Sequence, residues 1–211
     1  MGIAQVLGFT GATLILVGTP GPNNVYISLR SLTQGRRAGV VSALAIETGT
    51  IVYVVVAALG LAAVVQASPG LFTAISIAGA LYLAYLGIRV LNAPTALDTP
   101  GGIPPASLSR IYRDGVLVNL LNPKAALFFL AFLPQFTTQG ATPTQLRTEM
   151  LLLGLATMLI GLTLDLCYAL AAAAIGRRVR STRSPSRLRN HLTAAVYLLL
   201  AGIALVTALT A

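Results

Sequence analysis

Three ionisable side chains lie deep inside long apolar stretches of this sequence: Glu47, Lys124 and Asp165. If those stretches cross a membrane, a charge is costly there, so each residue should face the protein interior and have a partner or a role. Lys124 could bind the carboxylate of a small substrate. Because two acids accompany one base, the excess carboxylate could bind a substrate ammonium group or load and release a proton. A structural alternative stays open, in which one acid neutralises Lys124 and the other lies in a packed polar pocket.

Two proline motifs interrupt apolar stretches that are long enough to cross a membrane: Pro-Gly-Pro-Asn-Asn at 20–24 and Asn-Pro-Lys at 122–124. A helix interruption frees backbone groups, which a membrane tolerates mainly where the chain lines a polar cavity or packs inside the protein. At about 1.5 Å per helical residue, both motifs fall near the middle of a hydrocarbon core roughly 30 Å thick. Breaks at matching positions of two halves are typical of a transporter's binding site. A kink that only shapes helix packing is the alternative.

The second motif has the chemistry of an anion site. Asn122 can cap free amide groups, and Pro123 suits the first position of a helix, where its missing N–H costs nothing. The positive end of the helix dipole and the Lys124 ammonium group would then favour a carboxylate. The first motif can act similarly, because Pro22 can start a new half-helix and two asparagines follow it. We predict a substrate-binding site formed by Gly21, Pro22, Asn23, Asn24, Asn119, Asn122, Pro123 and Lys124. Glu47 or Asp165 would bind the ammonium group or the coupling proton.

The composition places these residues in a membrane protein. Apolar residues make up 56% of the 211 residues and charged residues only 9%, as in polytopic membrane proteins. A transmembrane helix needs about 20 apolar residues. The qualifying stretches lie at roughly 6–29, 38–65, 70–91, 115–136, 150–176 and 192–210. The sequence therefore predicts an all-α membrane protein with six transmembrane helices, of which helices 1 and 4 are broken at the proline motifs.

Basic residues are distributed unevenly between the loops. The odd-numbered loops hold 12 of the 14 Lys and Arg residues and the even-numbered loops hold one, which predicts that both termini lie outside the membrane. The basic run at 177–191 is interpreted as a topological anchor facing anionic lipid. It lacks aromatic residues for stacking on bases, which argues against nucleic acid as the partner of this chain despite its net charge of +9.

A segment rich in proline, glycine and small polar residues, at 93–110, reads as a cytoplasmic linker. It divides one integral membrane domain, 1–211, into a first repeat at 1–92 and a second at 111–211. Because each repeat has three spans, the second must enter the membrane in the opposite direction to the first. Ala45 and Gly49, small residues at four-residue spacing, could serve helix packing within the chain or in a homodimer.

Several function classes lack their residues in this sequence. A metal-ion exporter, the main alternative, would need clusters of His, Cys or carboxylates, and a thiol-disulfide carrier would need two reactive cysteines. Cys167, the one cysteine, is predicted to be a small core residue of the fifth span. An intramembrane hydrolase, the less favoured alternative, would need a nucleophile with a base, and His191 lies at the edge of the last span. We predict no enzyme activity, no cofactor and no metal site.

Motifs along nearly the whole chain resemble those of the LysE/RhtB family of amino-acid exporters. They are the Pro-Gly-Pro-Asn-Asn motif, Gln-Gly-Arg-Arg-Ala-Gly at 34–39, Gly-Ala-Leu-Tyr-Leu at 79–83, Asn-Leu-Leu-Asn-Pro-Lys at 119–124 and Pro-Gln-Phe at 134–136. Glu47 departs from the pattern, since members more often have a small or apolar residue there. The resemblance implies a multi-pass protein of the bacterial cytoplasmic membrane. It also implies export of amino acids or related small zwitterionic metabolites in exchange for protons.

Overall fold

The computed structural model describes residues 3–59, 69–92, 106–138, 140–181 and 186–210. Within these ranges all regular secondary structure is helical, which confirms the predicted all-α class. The α-helices are α1 (Ile3–Gly18), α2 (Pro22–Gln34), α3 (Arg36–Ala58), α4 (Pro69–Leu91), α5 (Leu108–Leu120), α6 (Pro123–Leu127), α7 (Pro143–Ser181) and α8 (Ser186–Thr210). A π-helical turn, Phe128–Phe132, and a 3₁₀ turn, Leu133–Phe136, follow α6.

Three helical segments among the described residues are long and apolar enough to cross a membrane: Arg36–Ala58, Thr73–Leu91 and Pro143–Arg177. Two shorter apolar helices are Val6–Gly18 and His191–Ile203. Leucines cover the outside, whereas acids and asparagines of the same helices are buried. This distribution is the reverse of that in a soluble protein and fits a lipid environment.

Helix boundaries coincide with both proline motifs. Helix α1 ends at Gly18 and α2 begins at Pro22, while α5 ends at Leu120 and α6 begins at Pro123. Each proline occupies the first turn of the helix it starts, where no hydrogen bond of its N–H is needed. The predicted span at 115–136 is therefore built from α5, the five-residue α6 and the two irregular turns rather than from one helix.

Helix α3 is the centre of the bundle and packs on both α5 and α7. Gly154 of α7 meets Val54 and Gly161 meets Glu47, so α3 and α7 run antiparallel. Gly49 meets Asn119, and Ala45 meets Gly115, so α3 and α5 run parallel. These small residues let the backbones approach closely. The Ala45 and Gly49 pair thus serves packing within the chain.

Cys167, predicted to be a core residue, does not lie in the core. Cys167 is exposed. Asp165 and Ala169 of α7 face inward, and at about 100° per residue a residue two positions from each lies on the opposite face of the helix.

The end of the second predicted span, at 60–65, and most of the predicted linker, at 93–105, lie outside the described residues. So does part of the basic run, at 182–185.

Candidate functional site

A cavity lies where the two helix interruptions meet, with about 550 Å³ of empty space inside and at its mouth. Eight of the ten predicted site residues line it: Gly21, Asn23, Asn24, Glu47, Asn119, Asn122, Lys124 and Asp165. Pro22 and Pro123 do not. They lie against a smaller cavity that also borders Gly79 and Tyr82. The prolines therefore interrupt the helices without facing the larger cavity.

A chain of side-chain amides joins the two interruptions. The Lys124 backbone N–H donates to Asn122 Oδ1 at 3.0 Å. Asn122 Nδ2 donates to Asn23 Oδ1 at 2.8 Å, and Asn23 Nδ2 donates to Asn119 Oδ1 at 3.1 Å. Since α2, α5 and α6 are linked by these bonds, the start of each new half-helix is held in a fixed position beside the other.

Asn119 extends the amide chain to α3. Fully buried, it donates through Nδ2 to Ile46 O at 2.5 Å and to Thr50 Oγ1 at 3.0 Å. Its side chain occupies the space above Gly49, where an added Cβ would lie 2.8 Å from Asn119 Nδ2. The close packing of α3 on α5 therefore depends on the absence of a side chain at position 49.

We expect Gly49→Ala to destabilise the protein by about 1–3 kcal/mol, because the added methyl group must displace a hydrogen-bonded asparagine. The free energy of unfolding in detergent measures this. Gly11→Ala is the matched control, because a Cβ at Gly11 of α1 meets nothing within 4 Å. Equal stability of the two variants would contradict the close packing at Asn119.

Lys124 contacts the end of α1 rather than an acid. Its half-buried ammonium group donates to Thr19 O at 2.6 Å and approaches Gly21. The ion pairs among the described residues both involve Asp114, so neither Glu47 nor Asp165 neutralises Lys124 here. The structural alternative in which one acid pairs with the lysine is therefore not what this conformation shows.

Helix α2 offers the more open anion site of the two. Gly21 has no side chain with which to cap the helix, and its own N–H donates to Asn24 Oδ1 at 3.3 Å. Asn23 and Asn24 lie in the first turn of the helix, so their backbone N–H groups have no acceptor within it. At α6 the first available N–H is already bound by Asn122. The first turn of α2 therefore has more N–H groups open to an anion than that of α6, and the Lys124 ammonium group lies beside it.

Both acids on the cavity wall are buried. Glu47 is 7% exposed and Asp165 is 3% exposed, and both side chains reach the same cavity from α3 and α7. Glu47 Oε2 has no hydrogen-bond partner among the described residues. A buried carboxylate oxygen without a donor is costly, which makes this atom a natural acceptor for an incoming ammonium group or a proton.

The rest of the wall is apolar. Leu16, Val17, Ile46, Phe128 and Phe129 line the cavity beside the polar groups. The two phenylalanine rings meet edge to face with centroids 5.1 Å apart, and Phe128 begins the π-helical turn. Turns of this kind recur at functional sites. The cavity therefore combines an apolar surface with charged and amide groups.

Two tyrosines that contact the interruptions are not among the predicted site residues. Tyr53 of α3 donates to Leu120 O at 2.8 Å, and Tyr168 of α7 donates to Gly18 O at 3.0 Å. Tyrosines are common at helix interfaces, so the residue type alone does not single them out. For Tyr168 a local signal exists: the carbonyl of Gly18, four residues before Pro22, which the proline deprives of a helical donor.

A second polar cluster was also missed. Asp114, 1% exposed, accepts hydrogen bonds from Arg30 Nη2 at 3.2 Å, Arg89 Nη2 at 2.8 Å and the Tyr82 hydroxyl at 3.3 Å. The cluster joins α2, α4 and α5. The sequence had assigned both arginines to loops and topology, whereas here they bind a buried acid.

Comparison with known proteins finds one matching family and several similar proteins. The family described as LysE type translocator matches residues 14–209. A leucine efflux protein of Klebsiella pneumoniae is 27% identical over 93% of this chain and 92% of its own length. A leucine efflux protein of Enterobacter sp. (strain 638) is 29% identical over 90% of each chain. An uncharacterized membrane protein of Synechocystis sp., slr1627, is 32% identical over 64% of this chain and 66% of its own. No solved structure matches the chain.

Proposed function

We propose, from the premise that this chain belongs to the LysE type translocator family, that it exports a neutral amino acid with an apolar side chain in exchange for protons. Membership makes the chain a transporter and not an enzyme, and the resemblance seen in the sequence is confirmed. Two relatives are named leucine efflux proteins, which supports an amino acid as substrate. The observation that carries the proposal is the cavity at the two interruptions, where opposite charges and an apolar wall meet.

The substrate's two charged ends have separate partners in this proposal. Its carboxylate binds the free N–H groups of Asn23 and Asn24, and the Lys124 ammonium group supplies the countercharge. Its ammonium group binds Glu47 or Asp165 across the cavity. The apolar side chain packs on Phe128 and Phe129. No further cation faces the cavity from the described residues, so an acidic side chain would have no partner.

Proton exchange follows from the number of acids. Glu47 and Asp165 face one cavity, to which the described residues contribute a single cation, Lys124. Two carboxylates in a low-dielectric site are unfavourable unless one is neutralised. When the substrate ammonium group occupies one of them, the other still needs a proton. Release of substrate and uptake of a proton on the outer side would keep the cavity balanced.

The alternating motion we propose is that of two inverted repeats, 1–92 and 111–211, in a bacterial cytoplasmic membrane with both termini outside. The antiparallel packing of α3 on α7 supports the inversion, since these are the second helices of the two repeats. The first and fourth of six transmembrane helices would be the interrupted ones. The cavity reaches α1 and Phe128 but not the Asp114 cluster, so it extends toward the outer side if the arginines face the cytoplasm.

Purified protein in liposomes loaded with leucine tests the proposal. We expect the wild type to exchange labelled leucine across the membrane and to accumulate it against its gradient when the pH difference favours exchange. Of Glu47→Gln and Asp165→Asn, the variant of the proton-carrying acid should retain leucine exchange but lose its dependence on pH, because the amide cannot load a proton. The variant of the acid that binds the substrate ammonium group should lose exchange. The initial rate at several internal and external pH values measures this.

Glu149→Gln is the matched control, because Glu149 accepts hydrogen bonds from Thr138 outside the cavity. It should leave both leucine exchange and pH dependence unchanged. Wild-type pH dependence in both acid variants would remove these residues from proton coupling. If the wild type exchanged none of leucine, isoleucine, valine and phenylalanine, the proposed substrate class would be refuted.

A further inference from the structure

The proline interruptions leave the backbone carbonyls of Gly18 and Leu120 without their helical donors. In an α-helix the carbonyl of residue i accepts from the N–H of residue i+4. For Gly18 that residue is Pro22, which has no N–H. For Leu120 it is Lys124, whose N–H donates to Asn122 Oδ1 instead. At membrane depth an unsatisfied carbonyl costs several kcal/mol, so both carbonyls need another donor.

A tyrosine hydroxyl supplies the donor in each case. Tyr168 donates to Gly18 O at 3.0 Å and Tyr53 donates to Leu120 O at 2.8 Å. The arrangement is reciprocal, because Tyr53 lies in the first half of the chain and binds a carbonyl of the second, while Tyr168 lies in the second half and binds a carbonyl of the first. Each hydroxyl therefore ties a continuous helix of one half to an interrupted helix of the other.

We propose that Tyr53 and Tyr168 are a matched pair of positioning residues that fix the interrupted ends of α5 and α1 at the cavity. Without these bonds the ends of the half-helices, and the cavity groups that follow them, lose their register. The role in transport rests on the proposed function: if the halves move against each other, these bonds must break and re-form during each cycle. The capping itself does not depend on transport.

Tyr26 provides an internal comparison. Its hydroxyl also donates across the halves, to Ile111 O at 2.7 Å, and its side chain is fully buried. Ile111 lies inside α5, four residues before Gly115, so its carbonyl has a helical donor in addition. Removing the Tyr26 hydroxyl leaves no carbonyl unsatisfied. Tyr26→Phe therefore removes the same kind of interhelical hydrogen bond without removing a helix cap.

Hydrogen–deuterium exchange of the detergent-purified protein tests the capping. Tyr168→Phe should speed amide exchange about fivefold in the segment 15–25 and leave 117–126 unchanged, because one hydrogen bond of the local structure is lost. Tyr53→Phe should do the reverse. Tyr26→Phe should change neither segment. Each variant removes only the hydroxyl oxygen. A folded Tyr168→Phe or a folded Tyr53→Phe protein is sufficient for the test.

Leucine exchange in liposomes provides the second measurement. Both capping variants should raise the KM for leucine about fivefold, whereas Tyr26→Phe should leave KM unchanged. Loss of folded protein alone would lower the maximal rate but not change KM. Faster amide exchange confined to the mutated helix, or equal at both interruptions, would overturn the proposal. If the wild type does not exchange leucine, the proposed function fails while the amide pattern still decides the role of the tyrosines.

Discussion

Lys124→Gln should lower the kcat/KM for leucine exchange about 100-fold, the effect expected when one partner of a desolvated charge pair is removed. The ammonium group of Lys124 is half-buried and lies beside Gly21. The first-turn N–H groups of Asn23 and Asn24 follow, and they have no acceptor within α2. Because no other cation lines the cavity among the described residues, nothing can replace its charge. Initial rates in liposomes over a range of leucine concentrations measure the loss.

Lys124 also caps Thr19 O, so a loss of rate alone could come from a displaced α1. A substrate analogue separates the two roles. Binding of leucine and of leucinamide, which lacks the carboxylate, should differ strongly in the wild type and should become similar in Lys124→Gln. Lys124→Arg keeps the charge and should retain part of the discrimination. If Lys124→Gln still prefers leucine as strongly as the wild type does, the carboxylate binds elsewhere.

Much of the site could be predicted from the sequence because its signals are local. A proline inside an apolar run disrupts hydrogen bonding wherever it stands, and Asn122 before Pro123 specifies a helix start by its own geometry. Charged residues within apolar runs must face inward, and Glu47 and Asp165 do. These rules use residues within a few positions of one another, so no knowledge of the fold was needed.

The missed contacts are long-range. The Tyr168 hydroxyl binds a carbonyl 150 residues away and that of Tyr53 one 67 residues away, and no local pattern reveals such partners. Arg30 and Arg89 were counted with the loops because they end apolar runs. An arginine near a membrane boundary looks the same in sequence whether it faces lipid headgroups or a buried acid, so only the fold distinguishes these alternatives.

Asp114→Asn should reduce the free energy of unfolding by about 3 kcal/mol, since removing one partner of a buried ion pair leaves the others uncompensated. Asp114 is the only acid in contact with Arg30 and Arg89 among the described residues, and both guanidinium groups donate to the same oxygen, Oδ2. Asparagine keeps the size and the hydrogen-bonding oxygen but not the charge. Reversible unfolding in mixed micelles measures the change.

The cause of that loss can be tested by restoring the balance of charge. The wild-type cluster carries two cations and one anion, and Asp114→Asn combined with Arg89→Gln returns it to the same net charge. If repulsion between the arginines is the cause, the double variant should recover about half of the lost stability. Tyr82→Phe, which removes only the hydrogen bond to Oδ1, should cost about 1 kcal/mol. A double variant no more stable than Asp114→Asn would show that hydrogen bonding rather than charge holds α2, α4 and α5 together.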